Sequence, residues 1–374
     1  MPGVSYTLHV DGRPAPAEVV DAVEEVEVES HLALADILRL RLGIGLTEGG
    51  SSWSLVDDAT FSRLASVRLL ATIGSAVPTA VFDGYVTETG VELSDDPAHA
   101  SLDVVALDTT ALMNLEERVR EWPNMPDSAI AAMIFGEHGL LPVVDATQPA
   151  RIQLETTVIQ RDTDIRFLRH LAARNGFDVY VQPGVAPGVV EGHFHPPRLE
   201  GRPVGVLSVA MGEATNVARF SARHEMLRPT EVAGADVDAG RVDEQTAEAR
   251  AGELTPLGRR ALLNGDRPRR SLLRPGGMSG AGELQTLAQA AVDRSTWAVS
   301  ADGEVDTAVY GDLLRVGSTV LVRGAGATLS GAYLVERVHH HIAGERYAQH
   351  FTLRRNALEA TGAEPFASDT GLPS

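Results

Sequence analysis

Six short runs between Tyr6 and Asp108 alternate apolar with polar residues, and a period of two is the period of a β-strand. Tyr6-Thr7-Leu8-His9-Val10 ends at Asp11-Gly12, the dipeptide of a two-residue hairpin turn. Within residues 19–29, Val26 and Val28 alternate with Glu25, Glu27 and Glu29, which predicts a half-buried strand with one wet acidic face. Leu38-Arg39-Leu40-Arg41-Leu42 repeats the pattern with arginine on the wet side. Runs at 67–74, 80–88 and 101–108 complete the set. So many short strands predict a small barrel or sandwich over residues 1–110.

The pattern changes over 111–200, which reads as an α/β insert. Asp127-Ser128 can cap a helix that ends near Gly139. Ile152, Leu154, Thr156 and Val158 suggest a strand. Asp162-Thr163-Asp164 supplies caps and first-turn charge for a helix through Asn175, and Gly176 suits its C-terminal stop. Phe177 to Val181 follows as a strand. A second barrel-like region is predicted over 201–358, from strands near 204–210, 217–225, 319–323, 332–338 and 347–355 and a short helix at 283–295. Residues 228–283 are rich in Gly, Pro, Ala and charge without periodicity and predict a long loop; 359–374 is a polar tail. The expected fold class is α+β and β-rich: two small barrel-like domains flank an α/β insert.

Composition removes several function classes. The chain has no cysteine, so disulfides and thiolate metal sites are excluded. It also has no lysine, so all 32 basic residues are arginine, the cation suited to bidentate pairing at interfaces. The formal net charge of −19 argues against a nucleic-acid role. Residues 1–100 carry much of it, with 16 acidic residues against 5 arginines. No apolar run approaches the ~20 residues of a membrane span, and Met1-Pro2-Gly3-Val4-Ser5-Tyr6 does not read as a secretory leader. The expectation is synthesis in the cytoplasm and incorporation into a larger particle.

Motifs for chemistry are sparse. His193-x-His195 could offer two metal ligands from one strand face, but the following Pro196-Pro197 favours a surface loop. In His339-His340-His341 the outer two would share one strand face with His340 opposite, and one histidine packed in a barrel or at a subunit contact is favoured over a metal site. Gly324-Ala325-Gly326-Ala327 lacks the lysine of a phosphate loop and reads as a hairpin connection. No nucleophile elbow or zinc-protease motif occurs, and no catalytic residue, cofactor or metal is assigned. The most unusual local feature is an arginine cluster: Arg259, Arg260, Arg267, Arg269, Arg270 and Arg274. It is a candidate docking element for an acidic neighbour, with Glu25, Glu27 and Glu29 of an adjacent subunit as one possible partner.

Three segments together resemble the phage late-control D family, which includes the hub part of VgrG proteins and the tail hubs of contractile phages. The first is Val81-Phe82-Asp83-Gly84-Tyr85-Val86-Thr87. The second runs from Thr157-Val158-Ile159-Gln160-Arg161-Asp162-Thr163 through Phe167-Leu168-Arg169 to Asn175-Gly176-Phe177, with Thr163 where the family carries Ser. The third is Leu314-Arg315-Val316-Gly317, Gly331-Ala332-Tyr333-Leu334-Val335, His339 and the closing Phe351-Thr352-Leu353-Arg354-Arg355-Asn356. The resemblance implies a non-enzymatic homotrimer in which two related barrels per chain make a pseudo-sixfold ring. Such a ring would join the tail tube protein on one side to the spike protein on the other, with baseplate wedge proteins as further neighbours. VgrG proteins continue into an oligonucleotide-fold domain and a needle, so this chain is expected to act as a hub with a separate spike. The alternative is a baseplate-associated cell-wall hydrolase.

Overall fold

The computed structural model describes residues 3–47, 52–94, 96, 99–147, 157–184, 186, 188–238, 243–263, 268–275 and 281–366. The chain opens with β1 (Val4–Val10), which folds back at once into β2 (Arg13–Pro14). Asp11 and Gly12 both take positive φ, 48° and 73°, the backbone that a two-residue hairpin turn needs. Val19 to Ala22, expected to open a strand, instead form the end of helix α1 (Ala17–Ala22) behind Pro16. The stretch Val19-Val20-Asp21-Ala22 does not alternate, and Val19 is buried as a helical residue. β3 (Val23–His31), β4 (Ile37–Gly43), β5 (Ser66–Ile73), β6 (Thr79–Glu92) and β7 (Ser101–Asp108) follow as the alternation predicts.

The middle of the chain is mixed. It comprises α2 (Thr110–Met113), β8 (Glu117–Trp122), α3 (Asp127–Glu137), β9 (Leu141–Val144), β10 (Val158–Thr163), α4 (Asp164–Asn175), β11 (Asp178–Pro183) and β12 (Val190–His195). Gly176 ends α4 in the left-handed conformation, φ 71°, as its position predicts. The expected strand positions Ile152, Leu154 and Thr156 lie outside the described residues.

β13 (Val206–Ser208) and β14 (Val217–His224) then lead into the stretch 228–283. That stretch is not one long loop. It holds β15 (Thr230–Asp238), β16 (Asp243–Ala249), β17 (Arg260–Ala261) and β18 (Arg269–Leu273), and then the start of α5 (Ala281–Thr296). β16, β15 and β18 form a small sheet whose Val232, Ala247 and Ala249 pack against Leu284, Ala288 and Val292 of α5. The chain closes with β19 (Val299–Asp306), α6 (Thr307–Tyr310), β20 (Thr319–Arg323), α7 (Gly326–Leu329), β21 (Gly331–Ala343), β22 (Arg346–Arg355) and β23 (Ala357–Leu358).

Two separate barrels were expected, but the two β-rich ends form one continuous 13-stranded sheet that does not close. Its order is β14-β19-β22-β21-β3-β4-β7-β6-β5-β1-β2, with β20 beside β21 and β13 beside β20. The join is the pairing of β3 with β21. Seven consecutive residues of β21, Arg337 to Ala343, pair antiparallel with His31 to Glu25. The first half of β21 belongs to the other side, with Gly331 to Leu334 paired to β20. Val335 and Glu336 lie between the two halves, and Glu336 coincides with a register shift in the β21–β22 pairing, where the ladder passes from Val335 to Arg337. Such bulges twist a strand, which lets one long strand serve two differently oriented packings.

The cores obey the same join. The N-terminal core of Leu8, Val28, Leu40, Leu69, Phe82 and Val104 is completed by Leu313, Ile342 and Tyr347 from the far end of the chain. A second core, built on Val299, Val320, Tyr333, Leu334, Phe351 and Leu353, takes in Leu32 and Tyr180. A third lies between α3, α4 and their strands, around Trp122, Phe135, Leu168 and Phe194. No helix among the described residues is long and apolar enough to cross a membrane.

Candidate functional site

The residues singled out by sequence fall in three places. Glu25, Glu27 and Glu29 lie on β3, on the face opposite Val26 and Val28, in the middle of the large sheet. Each reaches diagonally to a residue of β21. Glu25 Oε1 is 2.6 Å from His341 Nε2, Glu27 Oε1 is 3.6 Å from His339 Nε2, and Glu29 Oε1 is 2.8 Å from Arg337 Nε. On the other flank of β3, the register sets Arg41 opposite Glu25 and Arg39 opposite Glu27. Cross-strand pairs of opposite charge stabilise a sheet by a few tenths of a kcal/mol each, roughly 0.2–1. The stripe therefore ties β21, β3 and β4 together at the seam between the two halves.

His339 and His341 do share the face predicted for them, with rings 6.2 Å apart, and His350 of β22 stacks 5.7 Å from His339. The histidine packed in the core is His340, and His339 is half-buried. His340 points into the core and meets the Tyr347 hydroxyl at 3.0 Å. Burial pushes its pKa down to about 3, so it is neutral in the folded protein.

The arginine cluster divides. Arg259 and Arg260 lie beside the chain end, where Arg260 pairs with Glu359 at 3.1 Å and Arg259 N–H donates to the Glu359 carbonyl. Arg269 and Arg270 belong to β18 at the side of the small sheet. There Arg270 pairs with Glu231 at 3.0 Å and stays mostly exposed. Arg274 is exposed just beyond β18, and Arg267 lies outside the described residues. The structure does not bring these arginines to Glu25, Glu27 or Glu29 of the same chain, whose partners are those of the seam.

His193 and His195 are not on a surface loop. Both are buried in β12, because that strand is paired on both sides, with β11 and with β9. Their tautomers follow from the contacts. His195 Nδ1 must donate to the Pro196 carbonyl at 2.7 Å, so its Nε2 accepts from His193 Nδ1 at 3.1 Å. In the neutral ring His193 Nε2 is then an acceptor: Gln182 Nε2 donates to it at 3.0 Å, while Glu191 Oε2 stands 3.2 Å away. Tyr180 stacks on His193 with centroids 4.5 Å apart. Burial holds His193 near pKa 3, and the assembly is a neutral, hydrogen-bonded packing unit.

Two further polar centres were missed by sequence reasoning. Asp36 and Asp108 are both fully enclosed. Asp108 Oδ2 accepts the Asp36 N–H at 2.8 Å, and Thr110 donates twice to Asp108 Oδ1. Burial raises both carboxyls, Asp36 well above the ordinary range. The pair lies at the turn from β7 into α2, where the sheet hands over to the α/β region. Beside it, Ser30, Asp36, Gln182, Leu314, Arg315 and His340 enclose a cavity of about 40 Å³, a size for ordered water. The second centre is the Arg355-Asn356 pair. Arg355 is fully buried and donates to the carbonyls of Leu257, Ser330 and Glu359. Asn356 exchanges hydrogen bonds with Leu257 N–H and the Thr255 carbonyl. Both letters were visible in the closing motif, but their partners at Thr255 and Leu257, about 100 residues earlier in sequence, were not.

Gly324-Ala325-Gly326-Ala327 is not a plain hairpin connection, since it carries the single turn α7. Gly324 takes φ 81° and passes so close to the Val209 carbonyl that a side chain would collide with it.

No curated protein matches the chain. Solved structures do, at low identity. A 43 kDa tail protein of prophage MuSo2 from Shewanella oneidensis superposes with a TM-score of 0.66 at 14% identity, covering 95% of this chain and 100% of that one. A tail protein from Neisseria meningitidis MC58 gives 0.66 at 13% identity, covering 95% and 97%. The E. coli c3393 protein gives 0.58 at 15% identity, covering 93% and 76%. It is described as a type VI secretion component with structural similarity to the T4 tail proteins gp27 and gp5. The fold is thus one found in phage tail proteins. At the level of sequence, residues 2–344 match the Alg8 N-terminal domain, and the chain belongs to that family.

Proposed function

We propose that the chain is a structural hub subunit of a contractile phage tail or injection system, assembled as a homotrimer. Tail tube protein would sit on one side, spike protein on the other, and baseplate wedge proteins at the periphery. The observation that carries this reading is the uninterrupted sheet that joins two β-rich halves within one chain, in a fold shared over nearly the whole length with phage tail proteins. Three such chains would present six similar β-rich units around an axis, as the late-control D resemblance implies. The end strands of the sheet support ring closure. Among the described residues β14 pairs only with β19, which leaves its other side available to a strand of a neighbour. No group in the described residues need perform chemistry for this role.

Within this reading the exposed arginines Arg259, Arg260, Arg269, Arg270 and Arg274, together with Arg267, serve as docking contacts for an acidic neighbour. Because Glu25, Glu27 and Glu29 are engaged at the seam of their own chain, other acidic surfaces are the better partners. Sedimentation equilibrium tests the proposal directly. A species of three times the 39.7 kDa chain mass is expected. A monomer that persists at high micromolar concentration, and that fails to bind tube or spike proteins, overturns it. Replacing Arg269, Arg270 and Arg274 with Ala should leave the trimer intact and weaken capture of neighbouring baseplate components; unchanged capture rejects the docking role.

A further inference from the structure

We propose that Glu25, Glu27, His341 and His339 form a binding site for one divalent transition-metal ion of zinc-like chemistry, bridging β3 and β21. The site does not depend on the hub reading. Its parts come from opposite ends of the chain: Glu25 and His341 are 316 residues apart in sequence and in contact in space. One ligand atom each from Glu25, Glu27 and His341 lie within 4.8 Å of one another. In a tetrahedral zinc site with bonds of about 2.0–2.1 Å, ligand atoms stand roughly 3.3 Å apart, so small side-chain rotations suffice to close the set. His339 supplies the fourth position. Its Nε2 already lies 3.6 Å from Glu27 Oε1, and its ring runs nearly parallel to that of His341, 17° apart.

The backbone explains why the four converge. His339 and His341 are two residues apart on one strand and so share a face, as Glu25 and Glu27 do on the next. The register places His341 directly opposite Glu27, and the diagonal lean brings His341 onto Glu25 and His339 onto Glu27. Both strands are interior strands of the sheet, so the backbone that carries the ligands is fixed on both sides.

The donor set selects the metal. Two imidazoles with two carboxylates suit zinc and its neighbours, whereas calcium and magnesium favour all-oxygen sites. The nearby guanidiniums have carboxylates of their own: Arg337 pairs with Glu29, and Arg41 lies within 4 Å of Glu24 and Glu92. Arg39, opposite Glu27, is exposed. All four proposed ligands are part-exposed, so an ion can reach them from solvent. A metal here would fasten the seam that joins the two halves of the sheet, and it would stabilise only the folded state.

The test uses the full chain, stripped with chelator and then titrated with zinc chloride by calorimetry, with bound metal counted by elemental analysis. One zinc per chain and a higher unfolding midpoint are expected. His341→Ala and Glu27→Gln should each weaken zinc binding by more than about tenfold. His224→Ala, at a histidine of β14 away from the seam, should leave it unchanged. Absence of stoichiometric zinc overturns the proposal, and so does equal affinity in His341→Ala, which would place the metal elsewhere. Should either variant fail to fold, cobalt substituted into the wild-type chain decides: tetrahedral d–d bands support the site, and an octahedral spectrum rejects it.

Discussion

Arg355 donates from Nε to the carbonyl oxygen of Leu257 at 2.9 Å, across 98 residues of sequence. The same guanidinium reaches the carbonyls of Ser330 and Glu359, so one side chain ties the segment before β17, the entry to β21 and the chain end to the sheet. Its planar fork suits three divergent acceptors, which an ammonium cannot span. Arg355→Leu would leave those buried carbonyls without donors and should cost about 3–5 kcal/mol of stability. Arg355→Lys should recover only part of the loss. The midpoint of urea unfolding reads both, and a loss below about 1 kcal/mol for Arg355→Leu would show that water replaces the clamp.

Asp36 and Asp108 make an opposite kind of prediction. Burial raises their carboxyls above the value of 3.8 that holds in the unfolded chain. A folded state that binds the proton more tightly gains stability as pH falls through its raised pKa, and the gain is complete near the unfolded value. Asp36→Asn removes the cost of a buried charge while keeping an acceptor for His31 N–H. It should match or exceed the wild-type stability at pH 7, by on the order of 1 kcal/mol. Melting at pH 5 and pH 7 checks this, and the difference between variant and wild type should shrink at the lower pH.

The buried histidines work in the other direction. His193 and His340 are held near pKa 3 by burial, below the unfolded value of 6.5. Between those two values the unfolded chain takes up protons that the folded chain refuses, so stability falls as pH drops. Each histidine contributes a slope of about 1.4 kcal/mol per pH unit. His340→Gln keeps a partner for Tyr347 and should flatten the stability profile between pH 6 and pH 4, by about one proton. A slope identical to wild type would show that His340 is not buried neutral.

Gly303 sits inside β19 because the Phe351 ring of β22 crosses it. A Cβ there would lie 2.3 Å from the ring edge and 2.5 Å from the Arg219 carbonyl. Gly303→Ala should therefore destabilise by about 1–3 kcal/mol, as overpacking does. Phe351→Leu in the same chain should relieve the ring clash but not the carbonyl one. A double-mutant cycle on thermal stability should show partial, favourable coupling between the two changes.

Legibility followed the local pattern. The strands of the first 110 residues were readable because one face is buried and the other wet, so each carries its own period. α4 was readable from Asp164 at its start and Gly176 at its end. β19 was not, since Asp302-Gly303 interrupts its apolar run at the point where Phe351 needs room. β15 and β16 were hidden for a different reason. Their Ala, Gly, Asp and Glu have low strand preference, and they hold as a sheet because α5 packs closely, with Leu284 about where a side chain of Gly234 would stand. The buried face of β12 was masked by the Pro196-Pro197 that follows it. At the seam the histidines were visible, but the carboxylates that meet them lie more than 300 residues away, and only the sheet register brings them together.

The pairing of β3 with β21 has a mechanical consequence. A tug that separates the two lobes along the strand direction loads that ladder in shear, because its hydrogen bonds run crosswise to the pull. All the bonds from Arg337 to Ala343 then share the force at once and must fail together, where a peeling geometry would let them unzip singly. A chain stitched in this way transmits a pull from one half of the sheet to the other as a stiff coupling.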